Sequence, residues 1–315
     1  MKLLKDLGIS KPTIDFIKHE GFNSYRKIAV LNSEQIDKLF NEEQLHFSRI
    51  SEVAIHADSS RLNPRKQVIQ NESFYIPTGI NSLDSILSGG LSTKQSYLFY
   101  GEFKSGKSQI AHQMIITALK TPPKRRKDKV IFIDTEGTFR PERINDICED
   151  LGRDSLNFME KVKVFKISKI DDFLLILPVI ETICADNNVK LLIIDSLMHH
   201  FRAELSEDKK SYHEILRILK TILKEFKELS NTHSFPIYYT SPIASSNKET
   251  YYAVRPIMPN ILSYYIDHWI LLSINEQIPG IEDRVVRNAV VVKSTELPER
   301  SAEFVITKEG VKDYC

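Results

Sequence analysis

The chain of 315 residues is longer than the roughly 250 residues at which a single hydrophobic core stops growing, so we expect a small domain and a large one. Hydrophobic residues make up 42% and charged residues 27% of the chain, a balance that is typical of a soluble globular protein and excludes disorder as the default state. The 43 Lys and Arg residues are offset by 42 Asp and Glu residues, so any binding of nucleic acid must come from local patches.

Apolar runs and cysteines narrow the class of protein further. No stretch reaches the roughly 18 apolar residues that a membrane span requires, and the first residues lack the apolar run of a signal peptide. We therefore expect no membrane partner and no secretion. Cys148, Cys184 and Cys315 lack metal-ligand spacing, which favours a reducing compartment, and the first two are predicted to be core residues.

The first 58 residues have the apolar spacing of short helices. Breaks near Gly8, Gly21 and Asn32 are each followed by residues suited to cap a new helix. Residues 1–58 are therefore predicted to form a small all-helical domain of four or five helices. Residues 59–73 lose this spacing and collect Ser, Asn, Pro and basic residues, which indicates a linker.

Residues 74–315 alternate apolar runs of the β type with helical stretches, which is the pattern of an α/β domain. Strands separated by helices imply a mainly parallel sheet flanked by helices. The last three runs follow one another closely and indicate an antiparallel meander at the edge of that sheet. The predicted strands are residues 96–100, 130–134, 162–165, 191–195, 237–240, 269–274, 288–293 and 302–307.

A phosphate-binding loop is the clearest chemical signal. Residues 101–108 fit the pattern G-x-x-x-x-G-K-[ST] between a predicted strand and a predicted helix, which is the context that this motif requires. In such a loop backbone N–H groups face the β-phosphate, the lysine reaches the β- and γ-phosphates and the serine binds Mg²⁺. The predicted nucleotide contacts are Gly101, Glu102, Phe103, Lys104, Ser105, Gly106, Lys107, Ser108 and Gln109.

Two of the other predicted strands lead into carboxylates. Asp195 ends the apolar run 191–195, where a carboxylate would hold the Mg²⁺ shell; an N-cap of the next helix is the alternative. Glu136 comes just after the run 130–134, where a general base would orient water toward the γ-phosphate; a helix cap is the alternative. Beside the phosphate-binding loop, the metal-binding role is favoured for Asp195.

Further motifs follow one another in a fixed order along the chain. The longest is residues 134–144, Asp-Thr-Glu-Gly-Thr-Phe-Arg-Pro-Glu-Arg-Ile. With the phosphate-binding loop, this set resembles the archaeal and eukaryotic branch of the RecA-type recombinases, the RadA-like proteins, over nearly the whole chain. The remaining motifs are Pro77-Thr78-Gly79-Ile80-Asn81-Ser82-Leu83-Asp84, Ser88-Gly89-Gly90-Leu91, Asp195-Ser196-Leu197, Phe201-Arg202-Ala203-Glu204, Arg255-Pro256-Ile257 and Leu297-Pro298-Glu299.

The resemblance implies a RecA-type P-loop ATPase core preceded by a helix-hairpin-helix-like domain, with ATP and Mg²⁺ as cofactors. By this resemblance Lys107 and Ser108 match the phosphate and Mg²⁺ contacts and Asp195 matches the Walker B acid. Glu136 matches the catalytic carboxylate, and Arg143 matches the residue that stacks on adenine. It also implies a DNA-dependent ATPase inside the cell, in the cytoplasm of an archaeon or the nucleus of a eukaryote.

The same resemblance implies two loops, residues 202–212 and 241–256, that bind single-stranded DNA. Such loops need positive charge for phosphates and aromatic faces for bases. The implied function is pairing of single-stranded with homologous double-stranded DNA and strand exchange, with self-association into a filament or ring or with recombinase paralogues. For Lys209 and Lys210 alone, a solvated turn would be the simpler interpretation. The implied DNA contacts are Arg202, Lys209, Lys210, Lys248, Tyr251, Tyr252 and Arg255.

Four departures from the family pattern favour an alternative function. Ser241-Pro242 stand where relatives carry Asn-Gln, whose glutamine senses the γ-phosphate, and Met258-Pro259-Asn260 replace Gly-Gly-His. Residues 40–44 replace a glycine hairpin of the DNA clamp, and the linker lacks the Phe-x-x-Ala peptide that hooks the next subunit. The alternative is an accessory paralogue that binds ATP and partner proteins with weak or no strand exchange; a P-loop ATPase outside recombination is a third hypothesis.

Lys293 is a departure of a different kind. Aligned on Leu297-Pro298-Glu299, it stands where many relatives carry an Asp that holds a monovalent cation beside the γ-phosphate of the neighbouring subunit. An ammonium would supply that positive charge covalently, so we expect Lys293 to donate to the γ-phosphate of the neighbouring copy. A solvent-facing lysine at a strand end is the equally weighted alternative.

Overall fold

The computed structural model describes residues 74–123, 125, 127–207, 211–244, 254–275 and 285–314. The predicted helical domain (residues 1–58) and the linker (residues 59–73) lie outside the described residues, so both boundaries stay predictions. Among the described helices, none combines the length and the apolar run that crossing a membrane would take.

The described residues alternate strands and helices as the sequence predicts. The strands are β1 (Tyr75–Ile76), β2 (Leu91–Ser92), β3 (Ser96–Gly101), β4 (Asp128–Asp134), β5 (Val162–Lys166), β6 (Asn188–Asp195), β7 (Ile237–Ser241), β8 (His268–Ile274), β9 (Val286–Lys293), β10 (Ser301–Thr307) and β11 (Gly310–Asp313). The helices are α1 (Asn81–Ile86), α2 (Lys107–Lys120), α3 (Pro141–Asp150), α4 (Leu156–Met159), α5 (Ile170–Asp186), α6 (His199–Glu207), α7 (Tyr212–His233) and α8 (Pro259–Tyr265).

A nine-stranded sheet in the order β11-β10-β9-β8-β3-β7-β6-β4-β5 forms the centre of the described residues. Its strands from β8 to β5 pair in parallel, and β9, β10 and β11 continue the sheet in antiparallel pairs. The predicted parallel sheet and edge meander are confirmed. The four-residue strand β11 is an addition that the sequence analysis missed.

Both faces of the sheet are covered, which explains why the parallel strands are nearly continuous apolar runs. Tyr97 and Phe99 of β3 point to the face covered by α2, where they join the same cluster as Met114. Leu98 and Tyr100 point to the opposite face, which is covered by α5 and α7. The carboxyl ends of the parallel strands therefore meet at one edge that the helices leave accessible.

Helix α7 shows how local sequence fixes this packing. The Ser211 side chain caps its first turn by accepting the N–H of Glu214 at 3.2 Å. Its buried residues repeat every three or four positions, so one apolar stripe faces the sheet. They are Ile215, Ile218, Leu219, Ile222, Leu223, Phe226 and Ser230.

Two smaller predictions concern the core. Cys148 and Cys184 are buried, as predicted. Trp269 is also buried, on β8 beside Tyr100. Cys315 lies outside the described residues.

Candidate nucleotide site

The phosphate-binding loop joins the end of β3 to the start of α2, as its motif requires. A side chain at Gly101 would lie 2.1 Å from the carbonyl oxygen of Leu272 on the neighbouring strand, so only glycine fits there. Gly106 has a φ of 108°, in the left-handed region, immediately before the helix begins at Lys107. Close packing and backbone conformation therefore impose both motif glycines.

The loop curls around its own lysine. The Lys107 ammonium donates to the carbonyl oxygens of Gly101 at 3.0 Å and Glu102 at 2.7 Å, and to the hydroxyl of Ser105 at 3.3 Å. The first helical residue thus projects its charge back over the loop. A phosphate bound in this loop would meet that charge directly.

Asp195 lies at the end of β6 with its carboxylate almost fully buried. Oδ2 accepts the hydroxyl of Thr138 at 2.8 Å, and Oδ1 accepts the hydroxyl of Thr240 from β7. Two hydroxyl donors orient the carboxylate without neutralising it. No N-cap bond by Asp195 is among its contacts in the described residues, so these two bonds define its surroundings.

Glu136 lies in the turn after β4. The carboxylate of Asp134 shapes that turn, accepting the N–H groups of Thr138 at 3.0 Å and Phe139 at 3.2 Å. Glu136 Oε1 accepts the Ser196 hydroxyl at 2.7 Å. Helix α3 begins beyond it, at Pro141, without a side-chain cap, so the alternative interpretation of Glu136 as a helix cap is wrong.

The charges of the site lie close enough to influence one another. Burial lowers the pKa of the Lys107 ammonium, while the negative charges of Asp195 and Glu136 act in the opposite direction. Among the described residues, however, Lys107 forms no ion pair with either carboxylate. The site thus holds a partly desolvated cation and two anions that are not joined to it.

His112 is a part of the site that the sequence analysis missed. Its Nε2 accepts the N–H of Arg140 at 2.9 Å, so its Nδ1 carries the proton and donates to the Ser108 carbonyl at 2.6 Å. Burial lowers the pKa of His112, which favours this neutral form. The ring also stacks on Phe139. It therefore ties α2 to the chain that carries Glu136.

Two arginines hold the rim of the site. Arg143, the predicted adenine contact, donates to the carbonyls of Thr307 at 2.9 Å and Lys308, in the turn between β10 and β11. These contacts use the edge of the guanidinium, and stacking on adenine stays a prediction. Arg287 of β9, which the sequence analysis missed, donates to the Lys104 carbonyl at 3.1 Å and supports the loop.

The residues present fit ATP and Mg²⁺. A loop shaped by close-packed glycines, ending at a helix and a lysine, is suited to a polyphosphate. The Ser108 hydroxyl and the Asp195 carboxylate are oxygen ligands of the kind that Mg²⁺ prefers. Phe103 of the predicted set is exposed, and the Oε1 of Gln109 is buried without a hydrogen-bond partner among the described residues.

Comparison with known proteins agrees with this chemistry. The Rad51 family model matches residues 65–314. The chain belongs to the Rad51 family. It is similar to the DNA repair and recombination protein RadA of Metallosphaera sedula, with 27% identity over 327 aligned positions that cover 99% of this chain and 96% of the relative. The RecA-type α/β core and the resemblance to RadA-like recombinases are thereby confirmed.

The DNA contacts expected of a Rad51-family protein are only partly described. Arg202 on α6 and Arg255 are exposed. The ends of the loop that leads to Arg255 close on each other, because Ala244 donates its N–H to the Arg255 carbonyl at 2.9 Å and Ile243 pairs with Pro256. Lys209, Lys210, Lys248, Tyr251 and Tyr252 lie outside the described residues, and their roles stay predictions.

Ser241 and Lys293, where the chain departs from relatives, are both described. Ser241 is fully buried, and its hydroxyl donates to the Pro242 carbonyl at 2.9 Å. The Lys293 ammonium donates to the carbonyls of Ser263 at 2.7 Å and Ile266 at 3.0 Å, closing the carboxyl end of α8. Lys293 is thus more than a solvent-facing lysine, and its donation to a neighbouring copy stays a prediction.

Proposed function

We propose that this chain is an ATP-dependent DNA repair and recombination protein that binds single-stranded DNA and promotes homologous pairing and strand exchange. The observation that carries the proposal is the grouping of Lys107, Asp195 and Glu136 at one edge of the sheet in a Rad51-family chain. Family membership supports repair and recombination, and the relative RadA bears that description in its name. Homologous pairing and strand exchange by this chain go beyond what family membership alone supports.

Each residue of the site has a chemical task in this proposal. Lys107 offsets the charge that develops on the phosphates, and Ser108 and Asp195 hold Mg²⁺. Mg²⁺ supplies further positive charge to the phosphates when it is bound. Glu136 accepts a proton from the attacking water, a contribution of about 10²- to 10⁴-fold in rate for a positioned general base.

DNA binding is assigned to the two loops that the family resemblance implies. Arg202 and Arg255 are exposed, as phosphate contacts must be. The chain as a whole carries almost equal numbers of basic and acidic residues. Affinity for single-stranded DNA should therefore come from few contacts, and it should decrease only modestly as the salt concentration rises.

Self-association is assigned to the open edge of the sheet. Strand β5 is an edge strand, and Val164 is 43% exposed on it. Leu175 and Val179 of the neighbouring helix α5 are 70% and 47% exposed. An edge strand of the described sheet, followed along the chain by a helix with exposed apolar side chains, is suited to receive an extended segment of another copy or of a recombinase paralogue. Without a Phe-x-x-Ala peptide in residues 59–73, we expect filaments to be weaker than those of relatives.

An accessory paralogue is the second candidate, and Ser241 is the observation that favours it. Its hydroxyl is buried and used locally, and Pro242 has no N–H to donate. Neither residue offers the side-chain amide through which relatives couple ATP to DNA. In this candidate ATP acts as a structural switch for a partner complex.

Filter binding and ATP turnover, each with and without single-stranded DNA, separate the candidates. The recombinase predicts ATP-dependent DNA binding, turnover stimulated by DNA and joint-molecule formation with a homologous duplex. The accessory paralogue predicts ATP binding without joint molecules. Lys107→Ala is the control, since its ATP-dependent signals should need about tenfold more ATP or disappear. DNA binding that does not depend on ATP, together with ATP turnover that does not change with DNA, would contradict the recombinase.

A further inference from the structure

His199 lies beside the proposed general base but has no part in the reaction described so far. Its Nδ1 is 3.5 Å from Oε1 of Glu136, the same oxygen that accepts the Ser196 hydroxyl at 2.7 Å. The Glu136 side chain is 36% exposed and that of His199 47%. Two groups from the segment after β6 therefore converge on one oxygen atom of the carboxylate.

The backbone that carries His199 is firmly held. Leu197, Met198 and Phe201, on either side of it, are completely buried. Leu197 also donates its N–H to the carbonyl of Thr240 at 2.9 Å. Packing on both sides of the first residue of α6 therefore fixes the backbone from which the imidazole reaches Glu136.

The neighbouring histidine adds to this restraint. His200 Nε2 lies 2.9 Å from the carbonyl oxygen of Ile167, and the two imidazole rings meet edge to face with centroids 4.8 Å apart. His200 therefore uses a backbone partner, and His199 is the ring that is directed at the carboxylate.

We infer that His199 is a positioning residue for Glu136 in ATP hydrolysis, an inference that rests on the proposed function. The imidazole presents its Nδ1–H to Oε1 and, with Ser196, fixes the carboxylate rotamer. No donor to Oε2 is present among the described residues, so Oε2 is the oxygen that takes the proton of the attacking water. His199 itself neither gains nor loses a proton in this step.

Solvent exposure sets the size and kind of effect. A contact between two exposed polar side chains contributes little to stability, so His199 acts on the geometry of the carboxylate and not on folding. Its removal should lower kcat and leave KM unchanged, because Glu136 acts on water and not on the binding of ATP. A general base that adopts several rotamers spends less time within reach of the water.

The test is a mutant cycle on ATP turnover by the full chain. His199→Ala should lower kcat roughly fivefold, the effect of about 1 kcal/mol at an exposed pair. His199→Asn should restore most of it, because the Asn amide nitrogen is as many bonds from the backbone as Nδ1. In the Glu136→Gln background His199→Ala should have no further effect. His233→Ala, at the end of α7, is the control and should match the native chain.

A spectroscopic readout does not depend on turnover. Nitrogen NMR of histidine-labelled protein at alkaline pH should show the His199 ring protonated at Nδ1, and Glu136→Ala should change that tautomer signal. Native kcat in His199→Ala, a loss that persists fully in Glu136→Gln, or a tautomer signal indifferent to Glu136→Ala would each overturn the inference. Native turnover in Glu136→Gln would instead count against the general base of the proposed function.

Discussion

Strand β3 has a polar cluster at each of its ends, and the two clusters differ in how their charges are paired. At the carboxyl end, Lys107 is bound by backbone carbonyls and a hydroxyl, while the Asp195 carboxylate accepts two hydroxyl groups. At the amino end, Asp267 accepts the N–H and the hydroxyl of Ser96 at 2.8 and 2.7 Å and forms an ion pair with Lys227.

The pKa of each group reflects this difference. Burial acts to raise the pKa of Asp267. The hydrogen bond and positive charge of Lys227, together with two hydrogen bonds from Ser96, outweigh burial, so the pKa is lowered. Burial lowers the pKa of Lys107, and no ion pair in the described residues offsets it. The amino end is thus neutralised from within the chain. At the carboxyl end the charges stay apart, so a bound phosphate would pair with Lys107 and a bound cation with Asp195.

Glu136→Gln tests the carboxyl end with the largest expected effect. Removing a general base should lower the rate of ATP hydrolysis by about 10²- to 10⁴-fold, while ATP affinity stays the same. Single-turnover hydrolysis and calorimetric titration measure the two quantities. Glu160→Gln, at an exposed site before β5, should match the native chain. Undiminished hydrolysis in Glu136→Gln would place the base elsewhere.

Lys107→Ala tests whether the Lys107 ammonium binds phosphate. Loss of a charge-assisted contact costs about 1.5–3 kcal/mol, so ATP binding should weaken about tenfold or more. Calorimetric titration with Mg-ATP measures the change, and Lys224→Ala, at an exposed position of α7, is the matched control. Unchanged affinity would remove the foundation of the proposed function.

Asp267→Ala makes the opposite prediction for the amino end. It should destabilise the core by about 1.5–3 kcal/mol, the contribution of hydrogen bonds to a charged group, and leave ATP affinity unchanged. Trp269 is the single tryptophan of the chain and lies on β8 close by, so its fluorescence during urea unfolding reports on this region. Asp186→Ala, at the exposed end of α5, is the control. A loss of ATP binding without a loss of stability would reverse the comparison.

The motif residues of the carboxyl end could be predicted because their chemistry is contiguous in the sequence. The groups that orient them could not, since Ser196 meets Glu136 across 60 positions and Arg287 meets Lys104 across 183. Such pairs arise from strand order, which no spacing encodes. The amino-end cluster, with Lys227 on α7 and Asp267 just before β8, was missed for the same reason.

Strand bounds show the same limit on a smaller scale. All eight predicted strands exist, but β4 and β6 begin earlier than their apolar runs, at Asp128 and Asn188. Asn188 donates to the buried Asp128 carboxylate at 2.6 Å, so this polar pair extends both strands. Strand β11 was missed because only four residues form it. Its Val311 bonds with the side chain of Gln113 on α2 through both its N–H and its carbonyl.

Lys293→Asp tests whether the amino end is purely structural. Burial lowers the pKa of the Lys293 ammonium, which lies 5.4 Å from the centre of the Trp269 ring. If it also donates to the γ-phosphate of a neighbouring copy, native ATP turnover and DNA binding should be equal in potassium and sodium at the same ionic strength. Lys293→Asp should then be several-fold less active and depend on potassium, since a carboxylate needs a cation beside a phosphate.

Two results would contradict that role of Lys293. One is a requirement for potassium in the native chain, and the other is full activity of Lys293→Asp in both salts. Lys293→Asp also removes the hydrogen bonds to the Ser263 and Ile266 carbonyls. Unfolding followed by Trp269 fluorescence therefore shows whether a loss of activity comes from a loss of folding stability. The role is supported if the activity of Lys293→Asp changes with the cation while its unfolding midpoint does not.

His268 completes the amino-end cluster and predicts the smallest effect. The Ser294 hydroxyl oxygen accepts the N–H groups of Glu296 and Leu297, so its proton is directed at His268 Nδ1, and His268 Nε2–H donates to Gln95 at 2.9 Å. The ring is held neutral.

The pH dependence of folding stability tests this neutral state. Burial lowers the pKa of His268 below its ordinary value of 6.5 in the folded chain. The unfolded chain therefore binds the proton first as pH falls. Stability from this group is complete above pH 6.5 and is lost below it, with a slope of at most about 1.4 kcal/mol per pH unit.

Urea unfolding between neutral and mildly acidic pH should show a shallower slope for His268→Gln than for the native chain, whereas His213→Ala, exposed on α7, should leave the slope unchanged. Equal slopes for the native chain and His268→Gln would mean that the amino-end cluster admits a charged imidazole, and that its closure on itself is less complete than its hydrogen bonds indicate.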